Sequence, residues 1–164
     1  MLINSYKKNQ RGQGLLELII AIGVITVGLL AVWTLFLSNF SGEKEAGTRI
    51  VAVNLAREGI EVVKNILDKN IIQQRPWNEG VGPGDYEVDY ASVALSGYSG
   101  RTLNFDPVTG FYTYAAGTAT SYLRKISIEQ ISPDQLHVRS ILDWVTRDGA
   151  TFQIITEDYF FNWR

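Results

Sequence analysis

The chain has 164 residues, with 15 Lys and Arg against 17 Asp and Glu, a single His and no Cys. That length leaves room for one modest globular domain, and the lack of Cys excludes a disulfide framework and a thiol nucleophile. A formal charge of −2 excludes the basic excess by which most nucleic-acid binders hold phosphates.

The first twelve residues contain Lys7, Lys8 and Arg11 and no acid. Removing those three positive charges from −2 leaves −5 for the remainder, so the chain is a short basic leader followed by an acidic body. Next comes Gly12-Gln13-Gly14-Leu15-Leu16-Glu17, and residues 18–37 then run without a charge. At about 1.5 Å per residue that run crosses the roughly 30 Å hydrocarbon core of a bilayer as a helix. The basic leader belongs on the cytoplasmic side by the positive-inside rule, and the residues beyond the span belong outside. Glu17 is the oddity: a carboxylate at the leading edge of the span costs several kcal/mol in lipid if it has no partner. A secretory signal is a poorer description. Its apolar core usually has about 7–15 residues, and Leu37-Ser38-Asn39-Phe40 offers no small-x-small cleavage site. An unprocessed signal-anchor is the plain alternative.

Beyond the span, Ser38-Asn39 and Ser41-Gly42 should soften the helix before Glu43-Lys44-Glu45 marks the water. Val53, Ala56, Ile60, Val63 and Leu67 then recur at three- and four-residue steps, with Arg57, Glu58, Glu61 and Lys64 between them. This spacing predicts an amphipathic helix over 46–69 whose apolar stripe packs on a sheet. Pro76, Gly80 and Gly82-Pro83-Gly84 place a connecting loop at 71–84. A β-sheet over 85–162 comes next, with antiparallel strands expected at 86–90, 103–105, 111–114, 122–131, 136–146 and 151–161. Asp148-Gly149, read as a two-residue turn, sets Leu142 opposite Ile155, Val138 opposite Tyr159, Leu136 opposite Phe161 and Arg139 opposite Asp158. On that register Ile60 and Val63 should pack against Leu142 and Ile155.

Several other residues have chemistry to weigh. His137 has no second His or Cys beside it for a metal or a nucleophile pair, and reads as an edge or surface histidine. Asp85, Glu87 and Asp89 alternate and so share a face, either a solvated acidic face or a set of oxygens for calcium. Arg124-Lys125, Arg139 and Arg147 are the basic positions that DNA phosphates would require, but the body is acidic and nucleic acid is not the expected partner. Nothing supports an enzyme, a catalytic residue, a metal, a cofactor or a small-molecule substrate.

Arg11-Gly12-Gln13-Gly14-Leu15-Leu16-Glu17 ahead of an unbroken span resembles the type IV prepilin signature, shared by type IV pilins and type II secretion pseudopilins. The resemblance implies a leader peptide at 1–12, with cleavage between Gly12 and Gln13 by a membrane-embedded prepilin peptidase, followed by N-methylation of Gln13. Glu17, fifth in the mature chain, would pair with the amine of a neighbouring subunit in a fibre. It also implies an α+β pilin-like fold, in which a long N-terminal helix, transmembrane over 13–40 and amphipathic thereafter, packs on an antiparallel sheet within an extracytoplasmic domain at 41–164. Expected partners are the membrane, the prepilin peptidase and other pilin subunits, with an assembly platform and ATPase acting indirectly. The Val-Arg-Ser strand, a Trp, a turn and a final aromatic strand resemble minor pilins more loosely. The expected site is a single-pass cytoplasmic-membrane protein that passes into a cell-surface filament or the periplasmic side. Members of the family often close a C-terminal loop with a disulfide, and this chain departs from that.

Overall fold

The computed structural model describes residues 11–146 and 149–162, with backbone alone at residues 11–12 and 38–44. Helix α1 is Arg11–Ile72, and the chain divides into two units, Met1–Glu45 and Ala46–Arg164. The expected softening at residues 38–42 does not interrupt the helical backbone.

Within the first unit, Gln13–Leu37 is a helix of 25 residues with mean hydropathy 2.7 over its most apolar window, and none of that window is buried. Its large side chains, from Leu15 to Leu37, are all exposed. Length, composition and lack of cover together suit a lipid-facing helix.

Within the second unit, α1 buries one face from Ala52 to Asn70. The stripe is wider than the sequence spacing suggested: Leu55, Val62 and Ile66 join Ala56, Ile60, Val63 and Leu67, while Val53 lies half-buried at the margin. The helix extends to Ile72, past the expected end at 69. It closes where Gln74 turns left-handed at φ 57°. The Arg75 N–H then donates to Asn70 O and the Gln74 N–H to Ile71 O, the paired bonds of a Schellman cap, with Pro76 directly after.

The described residues form seven antiparallel strands: β1 Gly84–Glu87, β2 Ser96–Gly97, β3 Thr102–Phe105, β4 Tyr112–Thr113, β5 Thr118–Ser132, β6 Gln135–Val145 and β7 Thr151–Phe161. The short β2 was not expected from the pattern, and the first expected strand, 86–90, begins two residues earlier and stops at Glu87. β5 is the hub. Along one edge it pairs with β1 near Ile126 and with β3 near Leu123; along the other it carries β6, which carries β7.

Alternation on the two long strands makes the buried face. Tyr122, Arg124, Ile126 and Ile128 of β5 and Leu136, Val138, Ser140, Leu142 and Trp144 of β6 point inward. They meet the helix in two clusters. Ile60, Val63 and Leu67 pack with Ile126, Ile128, Leu136 and Val138, whereas Ala52, Leu55 and Ala56 pack with Leu142, Trp144 and Tyr122. Gly59 lies between them at the closest approach, where a Cβ would stand 2.5 Å from Ser140 Oγ and 2.7 Å from Ile126 Cδ1. A larger residue there must displace the Ser140 and Ile126 side chains.

The β6–β7 register differs from the expected one by a single residue. Leu142 pairs with Ile154, Val138 with Asp158, Leu136 with Phe160 and Arg139 with Glu157. Asp148 of the expected turn lies outside the described residues; around it the Thr146 N–H donates to Ala150 O, the Gly149 N–H donates to Thr146 O, and Gly149 takes φ 84°. A shift of one position turns every side chain of the strand over. Ile155, Tyr159 and Phe161 therefore face outward and are exposed, while Ile154 and Phe160 touch the core. The expected packing of Ile60 and Val63 on Leu142 and Ile155 is replaced by packing on Ile126, Ile128, Leu136 and Val138.

Candidate membrane anchor and assembly site

Arg11, Gly12 and Gln13 all carry helical backbone, so the Gly12–Gln13 bond lies within α1 rather than outside it. Gly12 and Gly14 each weaken a helix by about 1 kcal/mol. The two glycines therefore make this stretch of helix easier to unwind. Lys7 and Lys8 lie outside the described residues.

Glu17 is exposed, and no hydrogen bond or ion pair joins it to another described residue. It stands four residues after Gln13, one helical turn, so a new amine at Gln13 and this carboxylate would share one side of the helix. The polar groups farther along are satisfied internally: Thr26 Oγ1 donates to Ile22 O at 2.7 Å, and Thr34 Oγ1 donates to Leu30 O. In a medium without water such bonds remove the cost of a bare hydroxyl. Trp33 and Phe36 stack near the far end of the span, where aromatic rings suit a membrane interface.

In the second unit the sequence candidates resolve into structural roles. Arg124 is fully buried rather than presented to a ligand. Its Nη1 donates to Leu55 O at 2.8 Å and to Glu58 Oε1 at 3.0 Å, and its Nη2 donates to Val88 O. One side chain thereby ties the helix, the central strand and the segment after β1. Lys125 pairs with Asp85 at 3.3 Å, Arg139 faces Glu157 rather than Asp158, and Arg147 lies outside the described residues. Among the described residues, Arg124, Lys125 and Arg139 assemble no basic surface.

Nor do Asp85, Glu87 and Asp89 form a solvated face or converge on one ion. Glu87 is buried beneath residues 96–101 and accepts from the Ser99 and Arg101 N–H groups at 2.9 and 3.1 Å, and from Arg101 Nη2 at 2.8 Å. The Arg101 guanidinium also lies 4.9 Å over the Tyr114 ring. Asp89 accepts from Ser92, Thr113 and the Tyr114 N–H, fastening β4 to the segment after β1. Burial pushes the Glu87 carboxyl up, but the donors from Arg101 and Ser99 outweigh it and hold the pKa below the ordinary 4.5. Burial pushes the Tyr114 hydroxyl up to about 12, with the Arg124 guanidinium opposing the shift.

A depressed carboxyl stabilises the fold above its unfolded pKa, and that contribution is lost as pH falls through the folded value. Urea melts of the detergent-solubilised chain should therefore lose stability below about pH 4.5. Glu87→Gln should be less stable at neutral pH and flatter in acid; an acid slope unchanged by Glu87→Gln assigns it elsewhere.

His137 is not at an edge. It lies on β6 between two strands, with its side chain 12% exposed, its ring 4.3 Å from that of Tyr159 and its Nε2 3.1 Å from Glu157 Oε2. Glu129 lies 4.0 Å from the opposite nitrogen, Nδ1, so the two carboxylates do not meet at one point.

Residues 7–33 match the prokaryotic N-terminal methylation motif. That is the signature of type IV pilins and pseudopilins. No curated protein and no solved structure matches the chain. The pilin motif spans Gly12, Gln13 and Glu17 and covers most of the apolar helix Gln13–Leu37. The α+β arrangement of a long N-terminal helix followed by an antiparallel sheet is pilin-like. Proteins with this motif are structural rather than enzymatic. The motif implies processing by a prepilin peptidase and assembly with other pilins, and the apolar helix fits membrane anchoring followed by entry into a surface filament.

Of the residues that matter, sequence reasoning missed the buried pairs of Arg124 and Glu87. Arg124 shares the phase of Ile126 and Ile128, and that parity was the available signal.

Proposed function

We propose that the chain is a minor subunit of a type IV pilus or a related secretion pseudopilus, cut after Gly12, methylated at Gln13 and held in register by Glu17. The observation that carries this reading is the coincidence of the methylation motif at 7–33 with an uncovered apolar helix whose one carboxylate is Glu17. Cleavage supplies an amine where the helix dipole is positive, and a carboxylate from another copy neutralises it. A buried charge is tolerated when paired and heavily penalised when not, so Glu17 tests each incoming subunit for register. The minor assignment is supported by the β6–turn–β7 pattern alone.

Processing is the direct test. Intact-mass measurement of chain extracted from membranes that contain a prepilin peptidase should show loss of residues 1–12 and gain of one methyl group. Gly12→Ala should be cut in part, and a bulky residue at that position should block the cut. A full-length mass in those membranes overturns the reading.

A further inference from the structure

The sheet ends in short strands on one side and a long one on the other. β2 and β4 have two residues each, and the β3–β5 pairing shifts register between Thr102 and Asn104. β7 has eleven residues, pairs with β6 alone among the described strands, and keeps an unbroken register from Gln135↔Phe161 to Val145↔Thr151. Along an antiparallel edge about half of the backbone N–H and C=O groups point away from the neighbour. Pro, Lys, bulges and inward-pointing charges usually guard such an edge; β7 contains no Pro, Lys or Arg, and Asp158 is its one inward-pointing charge. Its side chains are exposed on both faces: Ile155 at 49% and Tyr159 at 46% outward, and Phe152 at 39% on the helix side.

Charge decides what suits this edge. Glu157 points outward, 3.1 Å from His137 Nε2, and Asp158 points to the helix side, where its Oδ1 accepts from the Tyr159 N–H at 2.8 Å, so each face carries a carboxylate at the middle of the strand. A second copy laid antiparallel with Phe152 matched to Phe160 sets both acids opposite isoleucines. A shift of two residues along the partner sets Glu157 against Glu157, and a shift of four sets Asp158 against Asp158. Like charges directly opposite destabilise a strand pair, and opposite charges stabilise it. We propose that β7 is a strand-augmentation site that takes an extended segment of a different subunit, apolar at alternate positions and basic opposite Glu157 and Asp158. Backbone bonds would give affinity, and the two acids would give selectivity. The proposal goes beyond the filament reading and does not depend on cleavage at Gly12.

The test uses the full chain in detergent micelles and synthetic eleven-residue peptides of alternating Thr and Val. One carries Lys-Lys at its centre, one Glu-Glu, and one Lys-Lys with alternate backbone nitrogens methylated. The Lys-Lys peptide should bind and slow amide exchange within residues 151–161. The Glu-Glu peptide should bind about tenfold more weakly, and the methylated peptide should not bind. Ile155→Lys alters an exposed side chain and should weaken the Lys-Lys peptide by about tenfold. Equal binding of the two charged peptides, protection outside β7, no binding at all, or self-association through β7 overturns the proposal.

Discussion

Arg124→Ala should cost the second unit about 2–5 kcal/mol, the range for truncating a large core side chain, since its partner Glu58 keeps access to water. The side chain is fully buried and bonded to Leu55 O, Glu58 and Val88 O, so truncation opens a cavity and strands acceptors on two elements at once. A domain of this kind holds roughly 5–15 kcal/mol in reserve, so the variant sits near the limit of folding. Urea melts of the detergent-solubilised chain, followed by near-ultraviolet circular dichroism, measure the loss. Arg124→Met with Glu58→Leu keeps volume and removes both charges, and should recover part of it. A loss below about 1 kcal/mol for Arg124→Ala would mean that the guanidinium is hydrated rather than bonded as described.

Glu17→Val should leave cleavage and methylation intact while removing the subunit from filaments. The substitution deletes the carboxylate and keeps the helix and its apolar surface, so the peptidase still meets the same Gly12–Gln13 bond. The loss is the partner for the amine of a neighbouring copy, whose burial alone costs several kcal/mol. About 3 kcal/mol already lowers occupancy by more than about a hundredfold. Quantitative mass spectrometry of sheared filaments against membranes reads that ratio. If Glu17→Val enters filaments as often as the unmodified chain, the pairing role is wrong while the processing reading stands. Glu17→Gln separates charge from hydrogen bonding, and should fail if charge is what matters.

How far the sequence could be read depends on which interactions are local. The apolar run at 18–37 and the Gly12 to Glu17 spacing are contiguous, and they marked the anchor and the motif directly. The helix stripe and the last two long strands were legible from period, because one face of each is buried. The one-residue register error arose at Asp148-Gly149: the Thr146 N–H bonds Ala150 O, which closes the strands one position earlier than the two-residue turn that the dipeptide suggests. Only the hydrogen bonds of Thr146 distinguish the two. Glu87 was illegible for another reason. Its cover comes from residues 96–101, a segment of turn residues with no periodicity that would foretell where it lies. Arg124 was weighed only as a position for DNA phosphates, although its alternation with Ile126 and Ile128 placed it inside.

The helix stripe and its cover are far apart along the chain, and this orders events in time. Arg124 bonds to Leu55 across 69 positions, and Leu142 and Trp144, which seal the same cluster, come later still. At roughly 5–20 residues per second, synthesis leaves Leu55 waiting on the order of several seconds for β5 and β6. During that interval the apolar side of residues 52–67 has no sheet to lie on, and β1 and β3 have no central strand to join. The outer unit therefore closes late, after β6 has been made, and a nascent chain halted before Gln135 presents a bare amphipathic helix to whatever chaperone or membrane surface is nearest.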